Sequence, residues 1–217
     1  SKNQISFWIK GHIYSHSINQ LIDKFEVIKE NEVSSFVSTI EGHFAIVVKK
    51  LNFTCLIVDK IRSTPLYFTK IQNNFFVDYD PKNLVDLKEF DKTLDKNAEL
   101  EISMSGFSID NKTIFKSLHS LKAGEIVLLQ NNSFQYIQYF KYFGRIVEKE
   151  YSMYLEELTN LTLNIFQRLL KNVGHRQIVI PLSAGNDSRL VASVLKHLGA
   201  KNVKCYSYGT QGNFETK

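Results

Sequence analysis

The sequence predicts an α+β domain with largely antiparallel sheet, followed by the beginning of an α/β unit with a parallel sheet. Three observations lead there. Up to about Tyr139, short runs rich in β-branched and aromatic residues come in pairs around Asn- or Lys-containing turns, as hairpins do. From Tyr151 the apolar spacing changes to that of a long amphipathic helix. The stretch from Ile178 to Tyr208 then reads as strand, small polar loop, helix and strand, a parallel crossover unit. The change of pattern puts a boundary at about 140–150, giving domains 1–145 and 146–217, and the 217 residues suffice for two small domains.

Each element has its own signal. Ile5–Ile9 and Ile13–Tyr14 are rich in Ile, Phe and Trp and read as strand. Ile18, Leu21, Ile22, Phe25 and Ile28 mark one face of a helix. Phe44–Val48 and Phe53–Val58 are strands joined by a turn at Lys49–Asn52. Pro65–Thr69 and Phe75–Tyr79 pair around Gln72–Asn74, Asp80–Lys96 reads as charged and irregular, and a short helix is expected over Asn97–Met104. Glu125–Leu129 and Phe134–Tyr139 form a last hairpin around Asn131–Ser133. Tyr151, Tyr154, Leu155, Leu158, Leu161, Ile165, Leu169 and Leu170 then trace the long helix. Ile178–Leu182 reads as a buried parallel strand, Leu190, Val191, Val194, Leu195 and Leu198 as a helix face stopped by Gly199, and Val203–Tyr208 as the second strand.

Composition narrows the class. A hydrophobic content of 43% suits a packed globular core. No apolar run approaches the roughly 20 residues that span a bilayer, and the polar start shows no signal peptide. The net charge of +5 is spread over scattered lysines, which reads as a solvated surface and not as a nucleic-acid patch. Cys55 and Cys205 are far apart and form no C-x-x-C pair, so two reduced thiols in a cytoplasmic protein are expected. None of His12, His16, His43, His119, His175 and His197 falls in a ligand-like cluster, and no zinc site is expected.

The loop Ser183–Ser188 is the chemically suggestive stretch. A helix start leaves N–H groups unpaired and carries the positive end of the dipole, so small residues there let a phosphate approach. Asp187 offers hard oxygen for Mg²⁺ on a polyphosphate, and Ser183 and Ser188 offer hydroxyl donors. Neither G-x-x-x-x-G-K-[ST] nor G-x-G-x-x-G occurs in the chain. The plainer reading is a strand-to-helix turn in which Asp187 and Ser188 merely cap the helix.

Leu182-Ser-Ala-Gly-Asn-Asp-Ser188 resembles the S-G-G-x-D-S pyrophosphate loop of the N-type ATP pyrophosphatases, with Ala184 at the first Gly of the motif. If that position needs a positive φ, Ala costs on the order of 1 kcal/mol. With Pro181 before it, Arg189-Leu190 after it and Cys205-Tyr-Ser-Tyr-Gly209 beyond, the stretch is similar to asparagine synthetases and their relatives. The first half resembles, in the same order, the class II glutamine amidotransferase domain of that family. Trp8-Ile-Lys-Gly-His-Ile-Tyr14 looks like N-G-E-I-Y, and Glu41-Gly-His-Phe-Ala45 like G-x-F-A. Asp59-Lys-Ile-Arg-Ser-Thr-Pro-Leu-Tyr-Phe68 looks like D-x-x-G-x-x-P-L-Y-Y, and Leu121-Lys-Ala-Gly124 like L-x-P-G.

The resemblance implies an Ntn-type domain of layered antiparallel sheets, degenerate in this chain, and a Rossmann-like nucleotide domain of which only the first part is present. It implies ATP and Mg²⁺ held by Leu182, Ser183, Ala184, Gly185, Asn186, Asp187, Ser188 and Tyr208, with Asp187 at the metal. The reaction implied is activation of a carboxylic acid as an acyl-adenylate, then attack by ammonia or an amine. Lys10, Gly11 and His12 stand at the glutamine site, where Lys10 replaces an oxyanion-stabilising Asn and His12 a glutamine-holding Glu. The family's N-terminal Cys nucleophile is expected upstream of Ser1 and the rest of the synthetase domain beyond Lys217, so no catalytic nucleophile is assigned. The chain then reads as a fragment, or as one chain whose partner, or a second copy in a homodimer, supplies the remainder. Nucleic acid and membrane are not expected as partners. The competing reading is a scaffold module that binds nucleotide or nothing, and a tRNA-thiolating enzyme is weaker because such enzymes lack the amidotransferase-like half.

Overall fold

The computed structural model describes residues 5–130, 132–144 and 146–209; Ser1 and Asn131 lie outside them. The chain forms two compact units, Ser1–Phe143 and Gly144–Lys217.

The first unit is layered. One sheet has the strands β1 (Ser6–Ile13), β2 (Gly42–Lys49), β3 (Thr54–Val58), β7 (Glu125–Gln130) and β8 (Ser133–Gln138), in the order β1-β2-β3-β7-β8 and antiparallel throughout. A second, three-stranded antiparallel sheet runs β5-β4-β6, with β4 at Tyr67–Ile71, β5 at Asn74–Asp78 and β6 at Leu118–Ser120. Strict alternation gives the larger sheet two buried faces. Phe44, Ile46, Val48, Cys55, Ile57, Ile126 and Leu128 point to one side, against helices α1 (Ile18–Val27) and α2 (Val33–Ser38), which supply Leu21, Phe25, Val33 and Val37. Ala45, Leu56, Val58, Val127 and Leu129 point to the other, against Phe68 of the second sheet and Leu66 just before it. The outer face of that sheet is covered by Leu84 of α3 (Pro81–Val85) and by Phe90. The result is the layered antiparallel architecture that the sequence resemblance implies.

Local chemistry explains several element ends. Ser17 and Gln20 close a capping box on α1, which satisfies donors at both ends of the exchange. Asp95 caps α4 (Lys96–Ser105) by accepting from the Asn97 and Ala98 amides, and Gly106 ends it at φ +82. Cys55 is buried in the helix-facing core, which pushes its thiol pKa up to about 12 and keeps it protonated.

Several expectations need correction. The residues given to two N-terminal strands form one strand, because Gly11 lets the chain stay paired through a left-handed φ of +104. The span Asp80–Lys96 contains α3, started by Asp80 as N-cap and Pro81 at the first helical position. Three further short elements, the 3₁₀ turn Glu30–Glu32, α2 and the three-residue β6, carry too few residues to show a period.

The second unit contains α5 (Tyr151–Val173), β9 (Ile178–Pro181), α6 (Asn186–His197) and β10 (Val203–Tyr206), with β9 and β10 parallel. The expected buried strand is exposed for the most part. Only Ile180 of β9 is buried, and Val179 is 55% exposed, because β9 has a single strand neighbour among the described residues. The strands also end earlier than expected, so Leu182 and Tyr208 lie past them. Leu182 still donates its N–H to Tyr206 O (2.8 Å).

Candidate functional site

Two places hold the residues singled out in the sequence, one in each unit. In the second unit the loop leaves β9 at its carboxyl end and enters α6. Gly185 is the N-cap residue, and Asn186, Asp187 and Ser188 form the first helical turn. Ser188 holds the loop from inside the helix: its Oγ accepts from the Ser183 amide (3.1 Å) and lies 3.0 Å from Ser183 Oγ. Ser183 Oγ in turn accepts from the Gly185 amide at 3.2 Å. Arg189 reaches back to Gly185 O and to Asn186 Oδ1. Asp187 is exposed, and among the described residues no hydrogen bond or ion pair holds its carboxylate. So the plain capping role does not describe Asp187: its carboxylate is left facing solvent beside the helix start.

The anticipated strain at Ala184 does not arise. Ala184 is absent from the left-handed region, and Gly185 sits at φ −68, ψ 153. An L side chain is tolerated at the first motif position because the backbone there does not take a positive φ. Tyr208 follows β10, its ring 6.2 Å from that of Tyr206.

In the first unit, Lys10, Gly11 and His12 lie on β1 opposite Ala45, Phe44 and His43 of β2. A Cβ on Gly11 would come within 2.0 Å of His43 O, so the motif Gly is required by contact as well as by φ. The Lys10 ammonium sits 2.9 Å from the centroid of the Tyr79 ring, a cation–π contact. Lys10 lines a cleft of about 880 Å³ between the two sheets, along with Trp8, Val47, Lys49, Thr54, Phe75, Val77 and Tyr79. Gly11 and His12 do not line it. The cleft with its aromatic wall was not foreseen: Trp8 lies on β1 and Tyr79 just past β5 of the other sheet, and their meeting depends on how the sheets pack.

The turn after β3 is built on Asp59, which is 1% exposed. Its carboxylate accepts from the Phe44 amide (2.9 Å), the Ile61 amide (2.9 Å), the Ser63 amide (3.0 Å) and the Ser63 hydroxyl. A buried carboxylate with that many donors is a structural hub. Arg62, where the motif has Gly, takes φ +55. Gly124 of the Leu121–Gly124 motif takes φ +68, and a Cβ there would meet Phe140 O at 2.4 Å.

These motif positions coincide with a family match. A family model described as the glutamine amidotransferase domain matches residues 26–140, more than half of the chain. The chain belongs to this family. The matched part of the amidotransferase domain includes the Asp59 turn and Gly124, whereas Lys10, Gly11 and His12 precede it. Among solved structures, the chain is similar to the glutamine phosphoribosylpyrophosphate amidotransferase of B. subtilis complexed with ADP and GMP, at 9% identity and a TM-score of 0.39 over 66% of this chain and 30% of that one. It is also similar to a structure described as the allosteric regulatory enzyme of purine biosynthesis, at 9% identity and a TM-score of 0.39 over 97% of this chain and 46% of that one. The chain thus spans less than half the length of either. No curated protein matches it. No helix among the described residues is long and apolar enough to cross a membrane.

Proposed function

We propose that this amidotransferase-domain chain is part of an asparagine synthetase-like, ATP-dependent amide-forming ligase, whose second unit holds the pyrophosphate part of MgATP. The observation that carries the reading is the unengaged Asp187 carboxylate in the first turn of α6, at the carboxyl end of β9 in a parallel crossover unit. Ligands of open parallel sheets bind at that end of the strands. The first-turn amides of α6 and the positive end of its dipole favour polyphosphate, at roughly 0.3–1 kcal/mol per favourable charge.

The donor set fits magnesium carried in by phosphate. No group of three or more His, Cys, Asp or Glu stands together among the described residues, so Asp187 would add one carboxylate to a metal held mainly by the nucleotide. In the proposed reaction a substrate carboxylate oxygen attacks the α-phosphorus and the α–β phosphoanhydride bond breaks. Charge then develops on the departing pyrophosphate, where the loop amides and the Ser183 and Ser188 hydroxyls would stabilise it. Ammonia or an amine next attacks the acyl carbon, loses a proton, and displaces AMP.

A scaffold module remains the second reading, favoured by one observation: the Ser183 and Ser188 hydroxyls already satisfy each other. Isothermal titration with MgATP separates the two. The ligase reading expects a dissociation constant between about millimolar and tens of micromolar, roughly 4–6 kcal/mol. It also expects Asp187→Ala to abolish the Mg²⁺ dependence without changing the melting curve. Identical binding by the parent and Asp187→Ala would reduce the loop to a turn and leave the scaffold.

A further inference from the structure

The cleft between the two sheets includes Lys10 of the glutamine-site stretch, but most of its lining belongs neither to that stretch nor to the nucleotide loop. Directly opposed residues of an antiparallel pair point to the same face. In the β1–β2 register these are Ser6 with Lys49, Trp8 with Val47, and Lys10 with Ala45. The β2–β3 register adds Thr54 opposite Lys49. One face therefore presents, in a row, a cation beside a hydroxyl, an indole beside Val47, and a second cation. Ala45, Val47, Leu66, Phe75, Val77 and Leu129 supply the apolar lining. A volume of about 880 Å³ lies within the range of small-molecule sites.

The charges in the cleft are unequal in their commitments. Asp78, its carboxylate, already accepts from the Asp80 amide (2.8 Å) and from Asn83 Nδ2 (3.0 Å). Lys10 is held against the Tyr79 ring. Lys49 is exposed, and among the described residues no carboxylate, carbonyl or ring engages its ammonium. Among the described residues no hydrogen bond engages the Thr54 hydroxyl either. The Lys49 and Thr54 end therefore suits an anion attached to an apolar body that lies along Trp8 and Val47.

We propose that this cleft binds a medium-chain carboxylate, with its headgroup on Lys49 and Thr54 and its chain running past Trp8 towards Tyr79. Charge and shape are both required. A charge-assisted hydrogen bond holds the headgroup, and the apolar lining takes the chain. The proposal stands independently of the ligase reading, since no residue of the second unit lines the cleft.

Trp8 is the sole tryptophan of the chain and is 55% exposed, so its emission reports on the cleft. The experiment is a fluorescence titration of the full chain with decanoate, methyl decanoate, acetate and glutamine, with calorimetry on Trp8→Phe as a label-free check. Decanoate is expected to shift the emission saturably, acetate and glutamine to leave it unchanged, and the neutral ester to bind about tenfold more weakly than the acid. Lys49→Gln, on an exposed side chain, is expected to weaken decanoate by about tenfold and to make the acid and ester alike. Lys10→Gln should change the affinity by less than Lys49→Gln. No saturable response to decanoate, equal response to acid and ester in the parent, unchanged affinity in Lys49→Gln, or saturable binding of glutamine would each overturn the proposal. None of these results depends on whether MgATP binds.

Discussion

Arg62 shows how much one dihedral angle matters in this domain. Its backbone is left-handed, its Nη2 donates to Ser120 Oγ at 2.8 Å, and its Nε is buried without a partner. The motif it belongs to carries Gly at this position, and the structure supplies the reason. A non-glycine residue in that region costs about 1–2 kcal/mol. Replacing Arg62 by Ala removes the Ser120 contact and keeps the strain; replacing it by Gly removes both. Arg62→Gly is therefore expected to be more stable than Arg62→Ala by about 1 kcal/mol, read from urea midpoints at equal slope. Equal midpoints would mean that the turn relaxes away from positive φ once the guanidinium is gone. The neighbouring Asp59 has no such latitude, because three backbone amides depend on it.

At the scale of the element, β6 joins the second sheet to the aromatic core. His119 on β6 stacks on Phe68 of β4, with ring centroids 5.1 Å apart, and touches Phe134 of β8. Burial pushes its pKa down, because the charged imidazolium is poorly solvated there. The sign follows from linkage. The folded chain binds the proton less readily than the unfolded chain, so the contribution of His119 is complete above the ordinary value of about 6.5 and is lost as the pH falls from there through the folded value. Parent melting temperature should thus drop between neutral and mildly acidic pH, and His119→Phe should flatten that part of the curve. A slope unchanged by the substitution would assign the acid sensitivity to other groups.

Elements also show what sequence could and could not reveal. The hairpins β2–β3, β4–β5 and β7–β8 were legible because each pairs two short runs rich in β-branched and aromatic residues around a polar turn. Helix α1 was legible from a face of five apolar residues. The five residues of α3, the six of α2 and the three of β6 gave no period to read, and their identity comes from packing. At the loop, Ser183 to Ser188 could be located from the motif, yet whether Ala184 was strained depended on a backbone angle that no motif states. The pairing of Lys10 with Tyr79 was illegible for a related reason: it joins β1 to the residue after β5, and only the packed core determines how the two sheets are placed.

At the scale of the whole molecule the two units differ in what holds them together. The first has three apolar clusters that engage both faces of its larger sheet and the outer face of the smaller one. In the second, Ile180, Val194 and Leu195 are the only buried apolar side chains among the described residues, and none of the 23 residues of α5 is buried. A long helix with no side chain packed away is weakly held, since most helical stability in proteins comes from packing an apolar face and not from propensity. Along α5, Tyr151, Leu155, Leu158, Leu161, Ile165 and Leu169 remain exposed. A polypeptide of residues 1–143 is therefore expected to melt in one cooperative transition, at a temperature close to the main transition of the full chain. A polypeptide of residues 144–217 is expected to show partial helicity that fades gradually on heating, with no cooperative step in calorimetry. A sharp transition in the second polypeptide, with a heat capacity change proportionate to its length, would show that its few buried side chains suffice for an autonomous fold.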